Sequence, residues 1–269
     1  MATSNRIRWI REWREIDGTT ARIIGIIGAI GSWFALASVF PNQLMPYPYE
    51  TFLLAWGLVE SGVAFPHLSS TLYLTLLGFL GSLILGTAVG VFMGVNSYSQ
   101  KFFTPYVITG LSIPAIAWAA VMTLIFGYSI VSPVTATILT TFPYIAINIW
   151  KGVEGLEADL IRMSKAFNIS KLRMLRRMIL PSVSPSLFTA GRFGLAISWK
   201  IVTISEIFAA SLGVGYKLMQ SYQLYNFEEA WAWATLFMVV ILIIEYGFFK
   251  PLQRRVFAYR QDADFELIG

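Results

Sequence analysis

Six apolar runs of roughly 20 residues each, set apart by short stretches rich in Lys and Arg, constrain this chain more than any other feature. A run of that length crosses the hydrocarbon core as a helix, because a helix satisfies every backbone N–H and C=O within the segment itself. The runs are Ala21–Phe40, Leu72–Val95, Phe103–Phe126, Val131–Trp150, Pro185–Ala210 and Trp231–Phe249. They imply an all-α polytopic membrane protein with six transmembrane helices. Prolines sit in the third run (Pro105, Pro114) and the fourth (Pro133, Pro143), where kinks or a break are expected.

Composition enters as exclusion. Hydrophobic residues make up 56% of the chain and charged ones 13%, too few charges for an ordinary soluble domain. There is no cysteine, so disulfides and thiolate metal sites are excluded, and the single histidine, His67, argues against a His-based zinc or iron site. A net charge of +5 would suit a nucleic-acid partner. The basic residues lie between apolar spans, however, and the positive-inside rule accounts for them without nucleic acid.

Counting Lys and Arg by connection gives the orientation. The segment to Arg22 carries 5, the second connection carries Lys101, the fourth carries 7 and the tail carries 4, making 17 on one side. The other side has Lys217 alone, beside Glu50, Glu60, Glu228 and Glu229. Both termini are therefore expected in the cytoplasm. In the first stretch Arg6, Arg8, Arg11 and Arg14 alternate with Ile7, Trp9, Ile10, Trp13 and Ile16, a pattern for a helix on the membrane surface and not for a cleaved signal. The expected division is an amphipathic segment over 1–20, a transmembrane domain over 21–255 that includes the 151–184 connection, and a cytoplasmic tail over 256–269.

Within the second run Gly86, Gly90 and Gly94 recur every fourth residue, a smooth ridge for close helix contact. Packing inside this chain is the expected use; dimerisation is the alternative.

The fourth connection, 151–184, reads KGVEGLEADLIRMSKAFNISKLRMLRRMILPSVS and is too long for a passive turn. Leu156, Leu160, Met163 and Phe167 have helical spacing. Asn168 suits a left-handed C-cap and Ser170 an N-cap, after which Leu172, Leu175, Met178 and Ile179 share a face until Pro181 and Pro185 end it. Two short amphipathic helices at the cytoplasmic face suggest a docking element for a partner's groove. A basic loop touching anionic lipid is the simpler alternative.

From Arg162 to Ala210 the chain resembles permeases of binding-protein-dependent ATP-binding cassette importers. In that family the loop reads Glu-Ala-Ala, three residues, Gly, about ten residues, then Leu-Pro. Aligned on Leu180–Pro181, Asn168 takes the Gly position and Arg162-Met163-Ser164 the Glu-Ala-Ala position. The run LPSVSPSLFTAGRFGLAISWKIVTISEIFAAS, followed by GVGYKLMQ, is similar to the nitrate, sulfonate and taurine branch. The resemblance implies that Arg162, Met163, Ser164, Lys165, Ala166, Phe167, Asn168 and Ile169 form the coupling helix that meets the ATPase. Arg162 reverses the charge at that contact, while Asn168 preserves the left-handed cap.

Ionisable side chains inside a bilayer are costly and normally face an interior or a cavity. Arg192, Lys200, Glu206 and Glu245 lie within predicted spans. The first three fall loosely on one broad face of the fifth span, which with Trp199 is expected to line a translocation path; Trp118, Trp231 and Trp233 are further aromatic candidates. Glu245 is expected to pair with loop charges.

The chain contains no G-x-x-x-x-G-K-[ST] loop, and SLGVGYK at 211–217 has the wrong spacing, so no cofactor is expected and ATP would be bound by partner subunits. The expected partners are cytoplasmic ATPase subunits, a periplasmic or lipid-anchored substrate-binding protein, a second permease copy or paralogue, and the lipid bilayer. The expected cargo is a small anion, moved by alternating access. A self-sufficient secondary transporter is the alternative, although neither internal repeats nor a mid-membrane ion site supports it. An intramembrane enzyme would need His, Cys or paired carboxylates within the bilayer, which the spans lack.

Overall fold

The structure is a computed structural model that describes residues 18–155 and 170–252. All regular structure among them is helical: α1 (Gly18–Val39), α2 (Pro48–Glu60), α3 (Ala64–Val95), α4 (Ser97–Ser112), α5 (Ala115–Phe126), α6 (Val131–Glu154), α7 (Lys171–Met174), α8 (Leu180–Ser182), α9 (Ser184–Ala209), α10 (Val214–Gln223) and α11 (Phe227–Ile244). π-helical turns follow α7 (Leu175–Ile179) and α11 (Glu245–Phe249). The surface segment and tail expected at the termini lie outside the described residues.

Four helices, α1, α3, α9 and α11, are long and apolar enough to cross a membrane. The pair α4–α5 makes a fifth if it is taken as one bent span. Its 98° bend comes at Pro114, the one proline of the four that breaks its helix. Ile113 before it is extended (φ −78°, ψ 124°), as the proline ring demands of its predecessor. Pro105 stays inside α4, and Pro133 and Pro143 inside α6. The expected fourth span, α6, is long enough at 24 residues but carries Thr135, Thr137, Thr140, Thr141 and Asn148 and falls short of the apolar criterion.

That polarity belongs to the centre of the bundle. α6 makes its most extensive contact with α3, and then with α9. Thr137 and Thr140 donate to the carbonyls of Pro133 and Ala136, four residues back, so their buried hydroxyls are satisfied locally. The glycine ridge of α3 is what brings the helices together. A Cβ at Gly86, Gly90 or Gly94 would lie 2.7, 2.6 or 2.4 Å from Ile145, Ala146 or Val153 of α6. The ridge continues to Gly78 and Gly81, against Thr137 and Ile138. It serves packing within the chain, not a free dimer face.

Two apolar clusters close the ends. At the end bearing the 151–184 connection, Val91, Ile145, Ile149 and Val153 pack with Ile179, Val183 and Ala190. At the far end α2 and α10, two short helices between the expected spans, are held to α3 and α11 through Ala55, Ala64, Val214, Ala232 and Trp233.

Candidate functional site

The best-defined polar site lies at the far end, where α10 starts. A helix begins with N–H groups that lack intrahelical acceptors. Here three consecutive amides each meet a different side chain. Gly213 N–H donates to His67 Nδ1 at 3.1 Å, Val214 N–H to Thr71 Oγ1 at 2.9 Å, and Gly215 N–H to Glu206 Oε2 at 2.9 Å. His67 and Thr71 are four residues apart and so share one face of α3. The Thr71 hydroxyl also donates to Glu206, with its oxygens at 2.8 and 2.9 Å. Glu206 is 1% exposed, and its carboxylate joins α3, α9 and α10.

The glycines of this segment are required by that geometry. Gly213 has φ +131°, and a Cβ there would lie 2.3 Å from the Glu206 carboxyl. A Cβ on Gly215 would lie 2.1 Å from the Thr203 carbonyl oxygen. Because Nδ1 of His67 accepts, a neutral ring carries its proton on Nε2. The ring stacks on Tyr216 (centroids 6.2 Å apart, 12° between planes) and meets the Trp233 ring edge-on at 5.4 Å. The sequence offers SLGVGYK as a nucleotide loop of the wrong spacing and GVGYKLMQ as part of the family resemblance, and neither points to this junction. The signal for this latch, the fastening of the start of α10 by His67, Thr71 and Glu206, was Gly-x-Gly ahead of a short polar helix, with an acid seven residues upstream of the first glycine.

The expected polar face of α9 is not formed. Glu206 turns inward to the start of α10. Arg192 forms an ion pair with Glu245 of the π-helical turn after α11, so Glu245 pairs across helices and not with the loop charges expected for it. Trp199 is 2% exposed and packs on Phe237 of α11 at 5.2 Å. Lys200 alone of the four faces outward, on an exposed stripe with Thr189, Phe193 and Ala196. About 120° of helix rotation separates Lys200 from Glu206.

Residues Arg162, Met163, Ser164, Lys165, Ala166, Phe167, Asn168 and Ile169, expected to form the coupling helix, lie outside the described residues. The second half of that connection is described. Its helix starts one residue after Ser170, whose carbonyl accepts Met174 N–H at 2.9 Å. Pro181 and Pro185 do not end it as expected. Pro181 lacks the N–H that the carbonyl four residues back would use, and the turn before it widens to a π turn. Helical bonding then carries on through Val183 N–H to Ile179 (3.0 Å) and Leu187 N–H to Val183 (2.8 Å). The connection is thereby fixed to α9 by a nearly continuous helical segment.

Membrane-length helices around a hydroxyl-lined centre, with a buried carboxylate fastening one end, define a polytopic membrane protein. Residues 82–257 match the family model described as "Binding-protein-dependent transport system inner membrane component", and the chain belongs to that family. It is an inner-membrane permease subunit of an ATP-binding cassette importer and a transport component, not an enzyme. Relatives include SsuC of Bacillus subtilis (strain 168), named as an aliphatic sulfonates transport permease, at 26% identity over 87% of this chain and 82% of that protein. ThiX of Halalkalibacterium halodurans, a formylaminopyrimidine transport permease, is 27% identical over 81% of this chain and 86% of its own length. TauC of Escherichia coli (strain K12), a taurine transport system permease, is 23% identical over 94% of each chain. The fold is shared with an inward-facing MetNI methionine ABC transporter, with a TM-score of 0.61 at 20% identity over 69% of this chain and 92% of that one.

Proposed function

We propose that this chain forms half of a translocation path for a small anion of the sulfonate, taurine or nitrate kind, delivered by a periplasmic or lipid-anchored binding protein. A second permease chain, copy or paralogue, supplies the other half. ATP is bound and hydrolysed by separate cytoplasmic subunits, which dock on the 151–184 connection through Arg162–Ile169. Both termini lie in the cytoplasm, α6 is the fourth of six spans, and the far end of the bundle faces outward.

The observation that carries this proposal is Lys200. It sits about two-thirds of the way along α9, on an exposed stripe whose other members, Thr189, Phe193 and Ala196, carry no charge. An ammonium at that depth is too costly to leave in lipid, so the stripe faces a partner chain across a wetted path. A cation there attracts an anion. The names of SsuC and TauC agree with such a cargo, while ThiX shows that relatives equally close in sequence carry a different kind of solute, so the anion assignment rests on Lys200. The test is ATP-dependent uptake of taurine and ethanesulfonate by the complete complex in proteoliposomes. Lys200→Arg is expected to keep uptake and Lys200→Gln to lower it about tenfold or more, the effect of losing a charge-assisted hydrogen bond. Equal uptake by Lys200→Gln would remove Lys200 from the path.

A further inference from the structure

A cleft of about 380 Å³ opens at the far end of the bundle beside the latch, lined among others by Tyr128, Phe208, Tyr216, Met219, Gln220 and Gln223. We propose that it is an entry subsite for a small organic oxyanion, with the Tyr216 hydroxyl as the donor that receives it. The choice of cargo class rests on the anion reading above; the polarity of the cleft rests on its own hydrogen bonds.

Those bonds run in one direction. Lys217 Nζ lies 2.8 Å from Gln220 Oε1, and an ammonium can only donate, so the amide oxygen must face it. The amide nitrogen of Gln220 is thereby turned toward Tyr216, whose oxygen it reaches at 3.3 Å. An amide N–H₂ can only donate as well, so the Tyr216 oxygen accepts and its own proton is left to point into the cleft it lines. The chain from Lys217 through Gln220 to Tyr216 therefore ends in an O–H donor backed by a positive charge.

Such a donor fits an acceptor-rich ligand. Among the described residues no acidic side chain lines the cleft: the four acids that the charge count places at this end beside Lys217 (Glu50, Glu60, Glu228 and Glu229) are not in its lining. The stack of Tyr216 on His67 holds the phenol in place. Phe208 and the ring of Tyr128 supply an apolar wall for an alkyl group, and the volume lies in the range of small-molecule sites. An alkanesulfonate or alkylcarboxylate has both parts. The cleft also touches the latch, since Ile207 and Phe208 directly follow Glu206 and Tyr216 directly follows Gly215.

The test is titration of the purified full chain in lipid nanodiscs with ethanesulfonate, read by ligand NMR line broadening. Saturable binding is expected, weakened about tenfold or more by Tyr216→Phe, which keeps the ring and its stack but removes the donor. Lys217→Met, which releases the amide of Gln220, is expected to weaken binding too. Tyr222→Phe, on the same helix but outside the cleft, is expected to leave it unchanged. Absence of saturable binding to the unaltered chain would overturn the proposal, as would unchanged affinity in Tyr216→Phe. Should Tyr216→Phe fail to fold, unchanged affinity in Lys217→Met would overturn it instead. Uptake by the complete transporter separates the two readings. Ethanesulfonate uptake without binding to the unaltered chain sinks the subsite alone, and binding without uptake of any small anion sinks the cargo reading alone.

Discussion

The Glu206 carboxylate accepts the hydroxyl of Thr71, 135 residues earlier in the chain, at 2.8 Å, and through Gly215 it also holds the first turn of α10. The same hydroxyl receives Val214 N–H, so Thr71 serves two helices at once. Replacing it with valine leaves a buried amide without an acceptor and a buried carboxylate short of a donor. Thr71→Val is expected to lower stability by about 1–3 kcal/mol, and Thr71→Ser to restore most of it. Denaturation of the purified chain in detergent, followed by tryptophan fluorescence, measures this. Equal stability of the valine and serine variants would mean that the hydroxyl is idle.

Glycine substitutions should divide by space and not by position in a span. Gly90 meets the Ala146 carbonyl and Ile149, and Gly215 meets the Thr203 carbonyl; in both cases backbone would have to move. Each alanine is expected to cost about 1–3 kcal/mol or more through overpacking. Gly57 in α2 has nothing within 4 Å of a Cβ, and Gly57→Ala is expected to be neutral or slightly stabilising. Thermal denaturation of the three variants in one detergent provides the comparison, and a Gly90→Ala variant as stable as Gly57→Ala would contradict the close α3–α6 contact.

Arg192 and Glu245 join α9 to the turn after α11. A double-mutant cycle with Arg192→Gln and Glu245→Gln is expected to give a coupling of about 1 kcal/mol, because the pair is only partly buried. Additive effects would show that the two side chains act independently.

Much of this fold was legible in the sequence because apolar runs report the membrane directly. The bounds of the first, second and fifth runs fall on α1, α3 and α9, with α3 reaching eight residues further back than its run. The consequence of each proline was not legible. Pro114 breaks a helix and Pro143 does not, and the difference is packing: Pro143 is buried against Gly110 of α4, which leaves room for its ring. The short helices α2 and α10 were not legible because neither is long enough to span, and their apolar residues are matched to α3 and α11 instead. Charges inside spans were recognised, but their partners were not. Helical periodicity reports a face, whereas Glu206 is oriented by the Gly215 amide and the Thr71 hydroxyl, both outside its helix, and Arg192 by an acid 53 residues away.

The central claim is that this permease works only as part of a complex energised by separate ATPase subunits. The direct measurement is mass spectrometry of what co-purifies with the chain from native membranes in mild detergent, joined to an uptake assay on the same material. The account predicts an ATPase bearing a G-x-x-x-x-G-K-[ST] loop, crosslinked through Arg162 or Met163, and uptake that stops without ATP. A chain that purifies alone or as a bare homodimer, and moves solute on an ion gradient without ATP, would contradict it and put the secondary-transporter reading in its place.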